Sequence, residues 1–175
     1  SIIFMSVILC FSFVNCKGQN RENVKTNSMK QIILEKPSAK LDVDVMTALQ
    51  KRKSEREFTD KEISLQQLSD LLWAAKGINR PKEGKMTSPT AMNSQEVDVY
   101  VCMKDGTYIY NNKDHTLLLV STEDVRKYTE QRTPNPPVVL LITADVSRYR
   151  NYDEKNPEKN DHIINMSIMD CGIVS

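Results

Sequence analysis

From Asp44 onward the apolar positions fall into a helical rhythm. Val45, Met46 and Leu49 share one side, and Asp42 and Asp44 stand at the start, where acids suit the positive end of a helix. The spacing predicts a helix to about Arg52, then an extended stretch over residues 54–58 and a turn over 59–64. Ser64 and Gln67 form a capping box that opens a second helix over residues 65–76. Leu65, Leu68, Leu71, Leu72 and Ala75 make its apolar stripe, with Trp73 beside them and Gly77 at the C-cap position. Residues 79–88 read as a loop, with Pro81 and Gly84 inside. Residues 97–104 alternate as a strand does, Asp105-Gly106 is a hairpin dipeptide, and residues 107–111 return. A short apolar stretch follows over 115–120. Residues 121–131 read as a polar helix capped by Ser121 or Thr122, with Glu123 and Asp124 in its first turn. Residues 138–144 are continuously apolar, as in a strand covered on both faces. Residues 145–157 are polar and turn-like. A last helix starts at Asp161, with Ile163, Ile164, Ile168 and Ile173 as its expected buried positions, and the chain is expected to run on past Ser175. This order of elements predicts an α+β fold, with a mostly antiparallel central sheet flanked by helices and incomplete at the C-terminus. It does not fit a parallel dinucleotide-binding sheet.

The first forty-odd residues follow another pattern. Residues 1–14 are an apolar run, short for a membrane span, that stops at Asn15-Cys16-Lys17-Gly18. This reads as the hydrophobic part of a secretory signal over residues 1–18. The expected location is therefore exported, in the periplasm, with a lipid anchor through Cys16 as the alternative. Residues 19–43 are polar and read as a linker, with one apolar patch at Ile32-Ile33-Leu34 that offers an edge contact. The domain is expected over 44–175.

Composition removes some classes of function. The 24 Lys+Arg against 23 Asp+Glu leave a formal charge of +1, too little to draw nucleic acid or an anionic membrane surface. His115 and His162 lack metal-ligand spacing, so no metal site is expected. Cys102 and Cys171 lie in apolar surroundings. Buried free thiols are the expectation there, and an exported location also permits a disulfide between them.

Candidate chemistry lies in two stretches. Lys51-Arg52-Lys53-Ser54-Glu55-Arg56-Glu57-Phe58 gathers two guanidinium forks, an ammonium and a hydroxyl, donors that suit a dianionic phosphate. By itself such a run is an ordinary solvated helix end, favoured by the helix dipole. The second stretch, Ser88-Pro89-Thr90-Ala91-Met92-Asn93-Ser94-Gln95, combines small side chains, which let a flat ligand approach the backbone, with amides that donate and accept.

Taken in order, Arg52-Lys53-Ser54-x-Arg56-x-Phe58, Leu71-Leu72-Trp73-Ala74-Ala75-x-Gly77-x-x-Arg80 and Pro89-Thr90-Ala91-x-Asn93-x-Gln95 resemble the nitroreductase family. More narrowly, they resemble the branch that includes the SagB-type dehydrogenases. The resemblance covers the chain from about Val45 to its end. It implies an FMN-dependent oxidoreductase that moves two electrons through the flavin in a ping-pong cycle, with FMN at the interface of a homodimer and a small-molecule or peptide-like substrate. It implies no catalytic side chain, since the flavin does the chemistry. It places Arg52, Lys53, Ser54 and Arg56 on the FMN phosphate, ribityl chain or ring edge. Asn93 and Gln95 fall near the isoalloxazine, and Pro89, Thr90 and Ala91 line the flavin from the partner subunit. Met86 stands where close relatives usually carry Arg. The competing expectation is a flavin-binding or degenerate dimeric interaction protein without turnover.

Overall fold

The structure, a computed structural model, describes residues 30–38, 42–59, 61–129 and 136–175. The expectations for the signal segment, Cys10 and Cys16 lie outside these residues. Among the described residues no helix is long and apolar enough to cross a membrane.

The architecture is α+β and its main sheet is antiparallel throughout, as the order of elements predicts. The elements are β1 (Gln31–Ile33), α1 (Val45–Lys51), α2 (Leu65–Lys76), β2 (Ile78–Arg80), β3 (Lys85–Met86), β4 (Val97–Met103), β5 (Gly106–Asn111), β6 (Thr116–Ser121), α3 (Arg126–Thr129), β7 (Val139–Ala144) and α4 (Asp161–Val174). Five strands pair in the order β1-β6-β5-β4-β7, while β2 and β3 form a separate ribbon. The apolar patch within residues 19–43 supplies β1, which pairs with β6 so that Ile32 sits opposite Leu117. The stretch expected as a loop over 79–88 contains the β2–β3 ribbon, whose turn passes through Gly84 at φ 65.

β4 is the spine of the sheet. Val97, Val99 and Val101 are wholly buried, and the strand pairs with β5 on one side and with β7 on the other. Leu68, Leu72 and Ala75 of α2 and Cys171 and Val174 of α4 join these valines, Tyr108, Leu117 and Leu140 in one core. Burial of such side chains gives roughly 1.5–3 kcal/mol each before entropy is counted, so β4 and its partners hold most of the fold's driving force.

Three expectations change. The polar helix predicted from Ser121 is a single turn beginning at Arg126. Ser121 belongs to β6, and local side-chain bonds, Glu123 N–H to Ser121 Oγ and Arg126 N–H to Asp124 Oδ1, turn the chain before a helix can start. In α4, Ile163 is buried but Ile168 and Ile173 are exposed. The inner face is Ile163, Ser167, Asp170, Cys171 and Val174. Two polar residues therefore occupy positions where an apolar stripe was expected, and Asp170 has a specific reason to be there, given below. In α1, Val45, Met46 and Leu49 do share one side, but that side is exposed and no residue of the helix is buried.

Two glycines are required by close approach. Gly77 caps α2 in extended backbone, φ −73 and ψ 153, so the left-handed cap geometry is not what selects it. An added Cβ would overlap the Trp73 ring and carbonyl oxygen. Gly106 opens β5 at φ 148, with the hairpin turning at Lys104-Asp105 just before it, and a Cβ there would lie 2.5 Å from the Ser121 carbonyl oxygen. Gly106→Ala is expected to lower unfolding stability by about 2–3 kcal/mol in a urea titration, since it combines a strained φ with a backbone clash. A loss below about 0.5 kcal/mol would show that β6 yields easily at this point.

Candidate functional site

The basic stretch begins where α1 ends. Arg52 is the C-cap of α1 in extended backbone, and the chain runs on without regular structure through Phe58. Arg52, Lys53, Ser54 and Arg56 are all exposed, whereas Phe58 is half-buried and anchors the far end of the stretch. Lys53 is ion-paired with Glu55, which raises its ammonium above the ordinary lysine range. Arg52, Ser54 and Arg56 have no polar side-chain partner among the described residues. These two forks and one hydroxyl are thus unengaged donors. A helix C-terminus carries partial negative charge, so an anion here depends on the side chains rather than on the helix.

The second stretch is a tightly wound turn leading into β4. Residues 91–93 form a short 3-10 turn in which Met92 (φ 55) and Asn93 (φ 53) are left-handed, and Gln95 (φ 52) is left-handed two residues on. Three non-glycine residues in this region cost of order 1–2 kcal/mol each, so the surroundings must hold the turn in place. Locally, Asn93 N–H donates to the Thr90 carbonyl at 3.1 Å, and Ser94 N–H donates to the Ala91 carbonyl at 3.1 Å. Gln95 N–H donates to Thr90 Oγ1 at 3.0 Å. The Gln95 side-chain amide donates to the Gly84 carbonyl at 3.1 Å, which ties the turn to the β2–β3 ribbon. Asn93 is exposed and its side-chain amide has no partner among the described residues. Pro89 is exposed, and Thr90 and Ala91 are half-buried. Ser88 Oγ is buried without a hydrogen-bond partner beside Pro89.

Two ionic or polar groups brace the turn, and the sequence reading did not single them out. The first is Lys76, Asp98 and Arg148. Arg148 forks onto Asp98 at 3.0 and 2.6 Å and donates to the Gln95 carbonyl at 3.1 Å. Buried Lys76 approaches Asp98 at 3.2 Å and donates to the Val97 carbonyl. Burial works against the Asp98 charge, but the Arg148 hydrogen bonds and the Lys76 charge outweigh it and hold the carboxyl below the ordinary aspartate range. Burial lowers the Lys76 ammonium despite Asp98. The second group is Glu96, Tyr149 and Asp170, in which Asp170 Oδ2 accepts the Ala91 N–H at 2.7 Å. Burial, with the Glu96 and Asp170 carboxylates adding to it, pushes the Tyr149 hydroxyl up and the neighbouring Cys171 thiol up to about 11. Cys102 and Cys171 are both buried free thiols. In the sequence only the periodicity of α4 pointed toward Asp170, and the isoleucines drew the stripe to another face.

The structure gathers residues 88–96 into one braced turn and leaves residues 52–56 as a separate, largely exposed segment without regular structure. No hydrogen bond or ion pair joins the two among the described residues. Met86 is only 5% exposed, and its sulfur accepts from the Asn112 amide at 3.0 Å, so it is a core residue. His115, the other unusual polar group, has Tyr110 OH on Nδ1 at 2.8 Å and Ser69 Oγ on Nε2 at 2.7 Å. It fastens α2 to β5 and the backbone after β1, away from both stretches.

With a five-stranded antiparallel sheet, an irregular basic segment after the first helix and a braced Pro-Thr-Ala-x-Asn-x-Gln turn before β4, the chain has the build of a mixed α+β domain. The chain belongs to the nitroreductase family, whose family model matches residues 49–174. A putative nitroreductase of Methanocaldococcus jannaschii is 27% identical, the match covering 61% of this chain and 60% of that protein, so the chain spans less than two thirds of that curated relative's length. A crystal structure of a putative nitroreductase from Ralstonia eutropha aligns with TM-score 0.67 and 30% identity, covering 90% of this chain and 77% of that one. The Escherichia coli microcin synthetase McbBCD complex aligns with TM-score 0.53 and 14% identity, over 88% of this chain and 66% of that one, a likeness of fold alone.

Two predictions test the bracing. Met92→Gly relieves a left-handed φ at a 64% exposed side chain and is expected to raise stability by about 0.5–1 kcal/mol, read from the urea midpoint; a loss would show that the methionine side chain does packing work here. Asp98→Asn is expected to be destabilising at neutral pH. A depressed carboxylate stabilises above its unfolded value and loses that contribution as pH falls through the folded value, so the gap between wild type and Asp98→Asn should narrow below about pH 4. A gap independent of pH in acid urea titrations would contradict the ion-pair account.

Proposed function

We propose that the protein is an FMN-dependent oxidoreductase that works as a homodimer, exported under the direction of residues 1–18. Membership of the nitroreductase family supports a flavin-type oxidoreductase. The observation that carries the finer reading is the set of unengaged donors: Arg52, Ser54 and Arg56 exposed without polar partners among the described residues, and the Asn93 amide exposed on a rigid turn. Their chemistry fits the cofactor. Two planar forks and a hydroxyl match a phosphate and ribityl chain, Asn93 matches a heteroaromatic edge with both donors and acceptors, and the orphaned Ser88 hydroxyl lies beside Pro89.

In this reading Arg52, Ser54 and Arg56 bind the phosphate end, while Lys53 contributes charge tempered by Glu55. Pro89, Thr90 and Ala91 present a narrow backbone wall. Asn93 and Gln95 serve the ring edge, Gln95 through its carbonyl oxygen, because its amide nitrogen is committed to Gly84. When bound, FMN supplies two-electron transfer between a donor and an acceptor; the protein orients it and tunes its potential. A second copy completes the site. The exposed apolar residues Val45, Met46 and Leu49 on α1, and Met169 and Ile173 on α4, support such a partner, since a chain with this much uncovered apolar surface gains by burying it. The substrate class is a small molecule or a peptide-like chain, as in the SagB-type branch. Buried Met86 gives the second reading, a flavin-binding interaction protein without turnover, its footing: no cation is offered at that position.

The full-length protein is expected to purify with flavin absorbance bands. Arg52→Ala and Arg56→Ala should each weaken FMN about 10–100-fold, the loss of one or two charge-assisted hydrogen bonds. Bands and affinity unchanged in both variants would remove the phosphate assignment. Reoxidation of the dithionite-reduced protein by a quinone or nitroaromatic, at a rate above that of free FMN, distinguishes the enzyme from the non-enzymatic reading.

A further inference from the structure

The left-handed turn at residues 91–95 is not explained by its own side chains, none of which is glycine. Its polar contacts, local and long-range, form a closed circuit of hydrogen-bonding distances. The Ala91 N–H donates to Asp170 Oδ2 at 2.7 Å. That same oxygen lies 3.3 Å from the Tyr149 hydroxyl, which lies 3.0 Å from Glu96 Oε1. Glu96 Oε2 lies 2.6 Å from Ser94 Oγ, and Ser94 Oγ lies 2.7 Å from the Ala91 carbonyl oxygen. The circuit begins at the amide of Ala91 and ends at its carbonyl. Its three acid and phenol members are buried: Glu96 wholly, Tyr149 at 3% exposure and Asp170 at 5%.

We infer that Asp170 is a positioning residue that fixes the Ala91–Gln95 turn, and so the aim of the Asn93 amide, by closing this circuit from α4. The step to flavin rests on the reading given under Proposed function. Three observations support it. Asp170 sits on the inner face of α4 between Ser167 and Val174, where an apolar residue would otherwise fill the core. Its Ala91 bond spans 79 residues of sequence, so it couples the last helix to the turn before β4. A buried carboxylate is tolerated only where donors meet it, and here Oδ2 takes the Ala91 N–H with the Tyr149 hydroxyl also in reach. Tyr149 has a single hydroxyl proton with two carboxylates in reach. Its proton goes to one acid at a time, as the Ser94 proton goes to Glu96 or to the Ala91 carbonyl, and neither hydroxyl competes for the Ala91 amide, which belongs to Asp170.

The test uses full-length protein with Asp170→Ala, Asp170→Asn and Tyr149→Phe. Amide hydrogen exchange at Ala91 and its neighbours is measured without added flavin, and FMN affinity is measured by fluorescence. Asp170→Ala is expected to speed exchange at Ala91 about tenfold or more beyond any change in global protection, the loss of one buried charge-assisted bond, and to weaken FMN. Asp170→Asn retains an acceptor oxygen and should stay within about threefold of wild type in exchange, a rescue that a general packing defect would not show. If Asp170→Ala does not fold, Tyr149→Phe opens the circuit while sparing the Ala91 bond; it should loosen Ser94 and Gln95 more than Ala91. Exchange at Ala91 equal to wild type in Asp170→Ala, or all three amides unchanged in Tyr149→Phe, would overturn the inference. If the exchange contrast holds and wild type binds no FMN, the positioning role stands and the flavin reading falls.

Discussion

The turn between the β2–β3 ribbon and β4 depends on the bond between the Ala91 amide and Asp170. Met92, Asn93 and Gln95 adopt backbone that L-residues avoid. A sequence without glycine there returns to ordinary conformations unless something outside the turn prevents it. Asp170 is that constraint on one side and Arg148, through the Gln95 carbonyl, on the other. Both are held in turn: Asp170 by Tyr149 and the packing of α4, Arg148 by its fork onto Asp98. Strain in this turn is offset by buried polar groups behind it; in the proposed reading the turn is the edge on which the flavin rests.

The rest of the fold supplies the platform. β4 is buried by strands on both sides, and the turn feeds straight into its first residue, so the turn's base cannot shift without moving the core. The basic stretch is built in the opposite way. It leaves α1, whose apolar side is exposed, and of the stretch Glu55 and Phe58 alone are half-buried. One element is pre-formed, whereas the other waits for cover. In the dimer proposed above, the second copy supplies that cover and brings the two kinds of element together.

Much of this was legible in the sequence. The capping box at Ser64 and Gln67, the alternation of residues 97–103 and the hairpin after Met103 are short-range signals, and each appears where the pattern put it. Other features depended on distant partners. The α3 region lost its helix to β6 pairing and side-chain turns at Ser121 and Asp124. α4 presented isoleucines at helical spacing, yet it turned Ser167 and Asp170 inward because a turn some eighty residues earlier needed an acceptor. No local rule carries that information. The candidate residues Asn93 and Gln95 could be named from their types, but their left-handed backbone and the commitment of the Gln95 amide to Gly84 could not. Arg52 and Arg56 were readable as donors, and their freedom from partners is what the structure adds.

The central claim is that the unengaged forks at Arg52 and Arg56 recognise the phosphate of a flavin whose ring rests by the Ala91–Gln95 turn. Equilibrium binding of FMN and of riboflavin to the full-length apoprotein, side by side, tests it most directly, because the two ligands differ only in that phosphate. The account predicts FMN at least about 100-fold tighter, the worth of two charge-assisted contacts. Equal affinities, or no binding of either, would contradict it.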